Sequence, residues 1–164
     1  MKRALLCALV AACAVASAAA AALPKPGTLV AGSALGGVPL GASAGEVRAR
    51  LGSSFGVCDG CAETTWYYTY AKFTQPGLAV QFRRGAVDAV YTIWQPHGWR
   101  TNRGVVLGDP SAAAFSAYRG LVSRACAGYS ALVLRGRAAV TVFYVLDDKL
   151  WGFAVQRPRV PVCR

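Results

Sequence analysis

Apolar residues alternate with small or polar ones in two sets of three short runs, at 64–70, 78–83 and 86–94 and again at 129–134, 138–146 and 150–156. The alternation is clear in Trp66/Tyr68/Tyr70, Leu78/Val80/Phe82 and Val140/Val142/Tyr144. A period of two predicts half-buried strands, with one side of each run turned inward. Arg84-Gly85 and Asp147-Asp148-Lys149 are short turns joining the second run to the third in each set, so hairpins are expected there. In the third runs, Val87 with Val90 and Leu150 with Phe153 are an odd number apart. Both members can reach one core only across a bulge, and Gly152 points to one in the second set.

A short helix precedes each set. Ser43 is a good N-cap and Glu46 completes a capping box, Val47 and Leu51 share a face, and Gly52 ends the helix. In the second set Asp109 is the expected cap and Pro110 the first helical residue. Phe115 and Tyr118 form the expected apolar stripe, and Gly120 is the stop. The lead-in Gly37-Val38-Pro39-Leu40-Gly41 recurs as Gly104-Val105-Val106-Leu107-Gly108, an offset of 67, and the third runs match at an offset of 63. Self-similarity of this kind predicts a duplicated unit. The expected fold is α+β, a tandem duplication of one short helix followed by a three-stranded antiparallel meander, with the sheets adjacent or continuous.

The first residues change the count. Met1-Lys2-Arg3, an apolar stretch from Ala4 to Val15 and the small residues that follow read as a secretory signal peptide over 1–22. The predicted organisation is then a flexible segment at 23–35, a first repeat at 36–95, a connector at 96–103 and a second repeat at 104–164. Val10-Ala11-Ala12-Cys13 also resembles a lipobox, so a lipid-anchored envelope protein is the alternative to a secreted one. Cleavage removes Lys2 and Arg3, and the formal charge of +11 falls by two to +9. Such a surplus, mostly arginine, suits an acidic partner. Nucleic acid is not expected, since export separates the chain from it and no binding motif is visible. A membrane is expected as partner only with lipidation at Cys13.

Cys58, Cys61, Cys126 and Cys163 remain after cleavage. In an oxidising compartment they predict two disulfides, with three pairings open. Cys58–Cys61 around the turn-forming Asp59-Gly60 is favoured, with Cys126–Cys163 closing a separation of 37. The Cys58/Cys61 spacing also suits a thiol redox pair, but such a pair works at a helix start after a buried strand, and here it follows a helix. Zinc would need further ligands at matching spacing. No cofactor or metal is expected.

Gly41-Ala42-Ser43-Ala44-Gly45 matches a nucleophile-elbow pattern, with His97 as the sole histidine to serve it. The same serine is explained as a helix cap, and no carboxylate lies near His97 in sequence to orient it. The chain is therefore expected not to be an enzyme. Thiol redox chemistry is the alternative, as is a wall- or lipid-associated structural protein held by charge. Aromatic residues are the stronger clue. With Trp66, Tyr68 and Tyr70 facing inward, Tyr67 must face outward. Exposed Tyr, Trp and Arg compose binding hot spots, which gives Tyr67, Arg83, Tyr91, Trp94, Trp99, Tyr144 and Trp151 as candidate binding residues.

The lead-in at Val38–Gly41, the capped helix to Gly52, the Val80–Phe82 hairpin motif and the second lead-in at 104–109 together resemble the tandem repeat of β-lactamase inhibitory proteins and SmpA/OmlA-type envelope lipoproteins. The resemblance covers about 36–156. It implies a non-catalytic protein binder, an inhibitor or envelope factor, using an open sheet face against an unidentified protein.

Overall fold

The period-two runs become strands because each has an apolar side to bury. The computed structural model describes residues 26–69 and 76–164; the expected signal peptide, the Cys13 motif and Tyr70 lie outside the described residues. In chain order the elements are β1 (Thr28–Val30), β2 (Ala34–Leu35), β3 (Val38–Pro39), α1 (Ala44–Leu51), β4 (Gly56–Val57), β5 (Thr65–Tyr68), β6 (Gly77–Arg83) and β7 (Ala86–Ile93). They continue as β8 (Arg100–Thr101), α2 (Ser111–Ala117), β9 (Val122–Cys126), β10 (Tyr129–Arg135), β11 (Val140–Leu146) and β12 (Lys149–Gln156). Eight strands form one sheet in the order β4-β5-β6-β7-β12-β11-β10-β9, antiparallel throughout. A smaller sheet has the order β3-β2-β1-β8, with β1 and β8 parallel.

The expected α+β class is overturned. Among the described residues strands hold 45% and helices 11%, so the fold is mainly β. The helices are eight and seven residues long, and each buries a single side chain, Val47 and Ala114. They close one face of the large sheet and are not layers of their own. The expected tandem duplication of a helix and three-stranded meander is overturned with it, since the strands form one eight-stranded sheet, extended at its edges by β4 and β9, and a separate four-stranded sheet. Nor is the segment at 23–35 loose where it is described. Leu29 and Leu35 are fully buried in β1 and β2. Within the expected connector, β8 completes the small sheet and Trp99 is buried.

The hairpin turns adopt the geometry their residues favour. Arg84-Gly85 and Asp147-Asp148 have φ of 52° and 79°, and 48° and 60°. Positive φ at both central positions matches the twist of the flanking strands. Both third strands carry a bulge. Gln81 pairs with Ala89 and Phe82 with Val87, leaving Asp88 as the extra residue. Likewise Tyr144 pairs with Gly152 and Val145 with Leu150, leaving Trp151. The bulges let Val87 and Val90, and Leu150 and Phe153, all enter the same core.

That core lies on one side of the large sheet, where Tyr68, Leu78, Val80, Val90, Phe143, Phe153 and Val155 meet α1, α2 and the small sheet. Trp99 fills a slot beside Gly27 and Gly36. A Cβ at Gly36 would come within 2.9 Å of the indole, and a Cβ at Gly27 within 3.0 Å. The capping box at α1 is complete: the Glu46 N–H donates to Ser43 Oγ, and the Ser43 N–H donates to Glu46 Oε2 at 2.7 Å. At α2 the expectation fails. Asp109 accepts from the Val106 N–H at 2.8 Å, which closes the preceding turn, and Pro110 occupies the cap position without a side-chain bond. Phe115 is exposed while Tyr118 is buried, so only half of the expected stripe packs.

Three stability effects follow. Trp99→Ala should lower the unfolding free energy by about 3–5 kcal/mol in denaturant titration, because glycine neighbours cannot refill the slot. Ser43→Ala should cost about 1 kcal/mol. The hydrogen bond from the Ser43 backbone holds the Glu46 carboxyl below its ordinary value of 4.5. Its contribution is therefore present above that value and fades as the pH falls through the lowered one. In acid titration the wild type should lose stability relative to Glu46→Gln over that range.

Candidate functional site

The opposite side of the large sheet gathers most of the candidate residues. Strand alternation places Arg83 of β6, Tyr67 of β5, Tyr91 of β7 and Tyr144 of β11 on this side, across two halves of the chain. Trp151 joins them through its bulge, packing with Tyr144 at a ring separation of 5.8 Å and edge-on against Tyr129 at 5.9 Å. Gly152 makes this possible, since a Cβ there would come within 3.0 Å of the Tyr144 ring. Trp94 stands at the rim, half exposed, just past the end of β7. Trp99 is not part of the site, being enclosed in the core on the other side. Arg83 forms an ion pair with Glu63 at 3.5 Å.

A strap formed by residues 157–164 crosses this face. The Arg157 N–H donates to the Asp88 carbonyl at 2.9 Å, and the Arg159 guanidinium pairs with the buried Asp88 carboxylate. The buried Gln156 amide donates to the carbonyls of Val160 and Pro161 at 2.7 and 3.2 Å, and the Tyr144 hydroxyl donates to the Val162 carbonyl at 3.2 Å. Both favoured disulfides are present. Cys126–Cys163, with Cα atoms 5.5 Å apart, ties the strap to β9, and Cys58–Cys61 staples the loop between β4 and β5.

The strap delivers Arg164 to the middle of the face. Its guanidinium lies 3.8 Å from the Tyr91 ring centre, and its Nε donates to the Tyr144 hydroxyl at 3.1 Å. One Nη donates to Gln156 Oε1 at 3.1 Å and the other to Gln81 Oε1 at 3.4 Å. Beside it a hollow of about 140 Å³ is walled by Tyr91, Trp94, Tyr129, Tyr144 and Trp151. A second hollow of about 200 Å³ lies across Arg164, toward Cys61, Glu63 and Gln81. Burial raises the phenols of Tyr91 and Tyr144 above their ordinary value, and nearby Arg164 opposes the rise without cancelling it. At the rim Trp94 and Gln95 both adopt left-handed backbone, with φ of 54° and 46°. For side-chain-bearing residues this costs roughly 1–2 kcal/mol each, and it holds the Trp94 indole in the open.

Sequence reasoning missed Tyr129 and Arg164. Tyr129 begins a strand run, and nothing local distinguishes it from a core tyrosine. Arg164 follows Cys163, and the expected Cys126–Cys163 pairing alone does not say which face of the sheet the residue beside it reaches.

The other chemical candidates are dispersed. Ser43 closes α1 through its capping box, and His97 is an exposed loop residue. Among the described residues no group of three or more His, Cys, Asp or Glu side chains could hold a metal ion. Among them also, no helix is long and apolar enough to cross a membrane.

Breaking the strap should be measurable. The double variant Cys126→Ser/Cys163→Ser should lose about 4 kcal/mol on the chain-entropy estimate for a separation of 37. In residue-resolved NMR titration, Tyr91 and Tyr144 of the oxidised wild type should remain protonated above pH 10, where an ordinary phenol ionises. Because only the unfolded chain ionises there, stability falls as the pH rises past that value. Opening the strap should bring both phenols back toward it.

No protein-family model matches the chain, and no curated protein matches it in sequence. Among solved structures it is similar to an extracellular protein containing a SCP domain from Bacillus anthracis str. Ames, with a TM-score of 0.53 and 9% identity. The match covers 73% of this chain and 44% of that one, so the chain spans less than half of the neighbour's length. The likeness is one of fold. The comparisons lend no support to the resemblance to β-lactamase inhibitory proteins and SmpA/OmlA lipoproteins.

Proposed function

We propose that this is a secreted, disulfide-tied, non-catalytic module that binds another protein through the strapped face of its large sheet. The observation that carries the reading is the aromatic hollow: Tyr91, Tyr129, Tyr144 and Trp151 bound a concave apolar site, with Trp94 half exposed at its mouth. Large aromatic side chains with arginine, set around a partly desolvated depression, dominate the energetics of protein interfaces. Export is supported by the signal-peptide pattern at 1–22 and by two disulfides, which persist in oxidising compartments. That the structural neighbour is described as an extracellular protein agrees with this.

The immobilised, fully oxidised protein should retain a specific protein from the extracellular fraction of its own cells. Trp94→Ala, a rim substitution away from the core, should weaken that retention by tenfold or more. Retention unchanged in Trp94→Ala, or no retained protein, contradicts the reading. Catalysis of thiol exchange that disappears in Cys58→Ala would favour a redox role instead.

A further inference from the structure

The hollow is rich in hydrogen-bond donors, and no acidic side chain lines it. The guanidinium of Arg164, which borders both hollows, donates to neutral oxygens of Tyr144, Gln81 and Gln156. Among the described residues the ion pairs are Arg83–Glu63 and Arg159–Asp88, so Arg164 has no carboxylate partner. A guanidinium has five N–H groups, and three protein acceptors leave two of them unused. A second donor is also unsatisfied: the Trp151 Nε1 is buried and has no hydrogen-bond partner. A buried donor left unpaired is a costly feature that the rest of the fold does not explain.

Charge decides between two classes of ligand. Aromatic cages often take cations, but here the Arg164 guanidinium already lies over the Tyr91 ring, and a second cation would be repelled. The net positive charge of the chain adds to that repulsion. An anion gains from both terms. Size sets the rest of the ligand. A cavity of roughly 150 Å³ with apolar walls admits a benzene-sized ring, and this one is about 140 Å³.

We propose that the hollow receives an acidic-aromatic segment of the partner protein, the aromatic side chain among Trp94, Trp151 and Tyr129 and the adjoining carboxylate on Arg164. This rests on the protein-binding reading of the face and names the chemistry of the partner. Arginine is suited to the task because its planar fork can grip a carboxylate through two parallel bonds. Stacking on Tyr91 and three hydrogen bonds hold it in place beforehand, so little side-chain freedom is lost on binding.

The test is NMR titration of the oxidised, ¹⁵N-labelled protein with two blocked dipeptides, acetyl-Glu-Phe-amide and its uncharged counterpart acetyl-Gln-Phe-amide. The acid should shift the indole N–H signals of Trp151 and Trp94 saturably, at a concentration at least tenfold lower than the amide requires. Arg164→Gln should abolish that preference, with unchanged amide signals from α1 and β1, on the other side of the sheet, reporting that the variant is folded. Equal binding of both peptides, a preference that survives Arg164→Gln, or no indole response to either overturns the assignment. Equal binding weakened in Trp94→Ala would remove the carboxylate reading and leave the protein-binding face standing. Failure of the wild-type protein to retain any protein on the column would remove that face itself.

Discussion

Pairing between β7 and β12 is the constraint on which the molecule depends. Ala89, Val90 and Tyr91 align with Gln156, Val155 and Ala154, and this short ladder joins the two halves of the chain into one sheet. Thr92 extends the seam, its hydroxyl accepting from the buried Phe153 N–H at 2.8 Å. The lead-ins to both helices are bonded to the same region. Gly41 and Ala42 bond to Val87, and Gly108 and Asp109 to Leu150, so each helix is anchored beside a bulge. Without the seam, neither half could bury its strands on both sides. Half a sheet of this size covered on one face is marginal in water.

Continuity of the sheet separates two tasks. One face is closed by small elements around Trp99, Phe143 and Phe153, where apolar burial is complete. The other carries shorter apolar residues, Ala131, Val133, Val142 and Ala154, under the strap. Burial there is modest, and the strap is held chiefly by a disulfide, by the Asp88 pair and by hydrogen bonds to Gln156. Ion pairs of this kind are worth little when exposed. Asp88 is buried while Arg159 is half exposed, so removal of Arg159 would leave a buried charge unpaired, a costlier defect than the pair itself suggests. Both bulges serve this face, since Asp88 holds the strap and Trp151 walls the hollow.

Much of the strand content was legible in the sequence, because alternation, turn residues and odd apolar spacings report directly on which side of a strand must be buried. The odd spacing of Leu150 and Phe153 locates a bulge that the structure contains. The capping box at Ser43 was legible for the same local reason. Class was not. Helices of eight and seven residues carry clear signals but little mass, and strands of two or three residues such as β1 to β3 carry no periodicity at all. Trp99 resembled an exposed aromatic because its slot is made by distant glycines at 27 and 36. Of the candidate site, Tyr67 and Tyr91 share the face their spacing assigns them, and Trp151 joins through its bulge. Tyr144, whose alternation with Val140 and Val142 reads as an inward side, lies instead on that same face, and Arg164 is brought there by a strap whose course the expected disulfide alone does not fix.

Native-state hydrogen exchange on the oxidised protein tests most directly whether one sheet, joined at its centre, organises both faces. The amides of β7 and β12 along the Ala89–Gln156, Val90–Val155 and Tyr91–Ala154 pairs should exchange only through global unfolding, with the same free energy as Phe143 in the core. Seam amides that open well below the global free energy, while β6 and β11 stay protected, would show two separately folded halves and contradict the account.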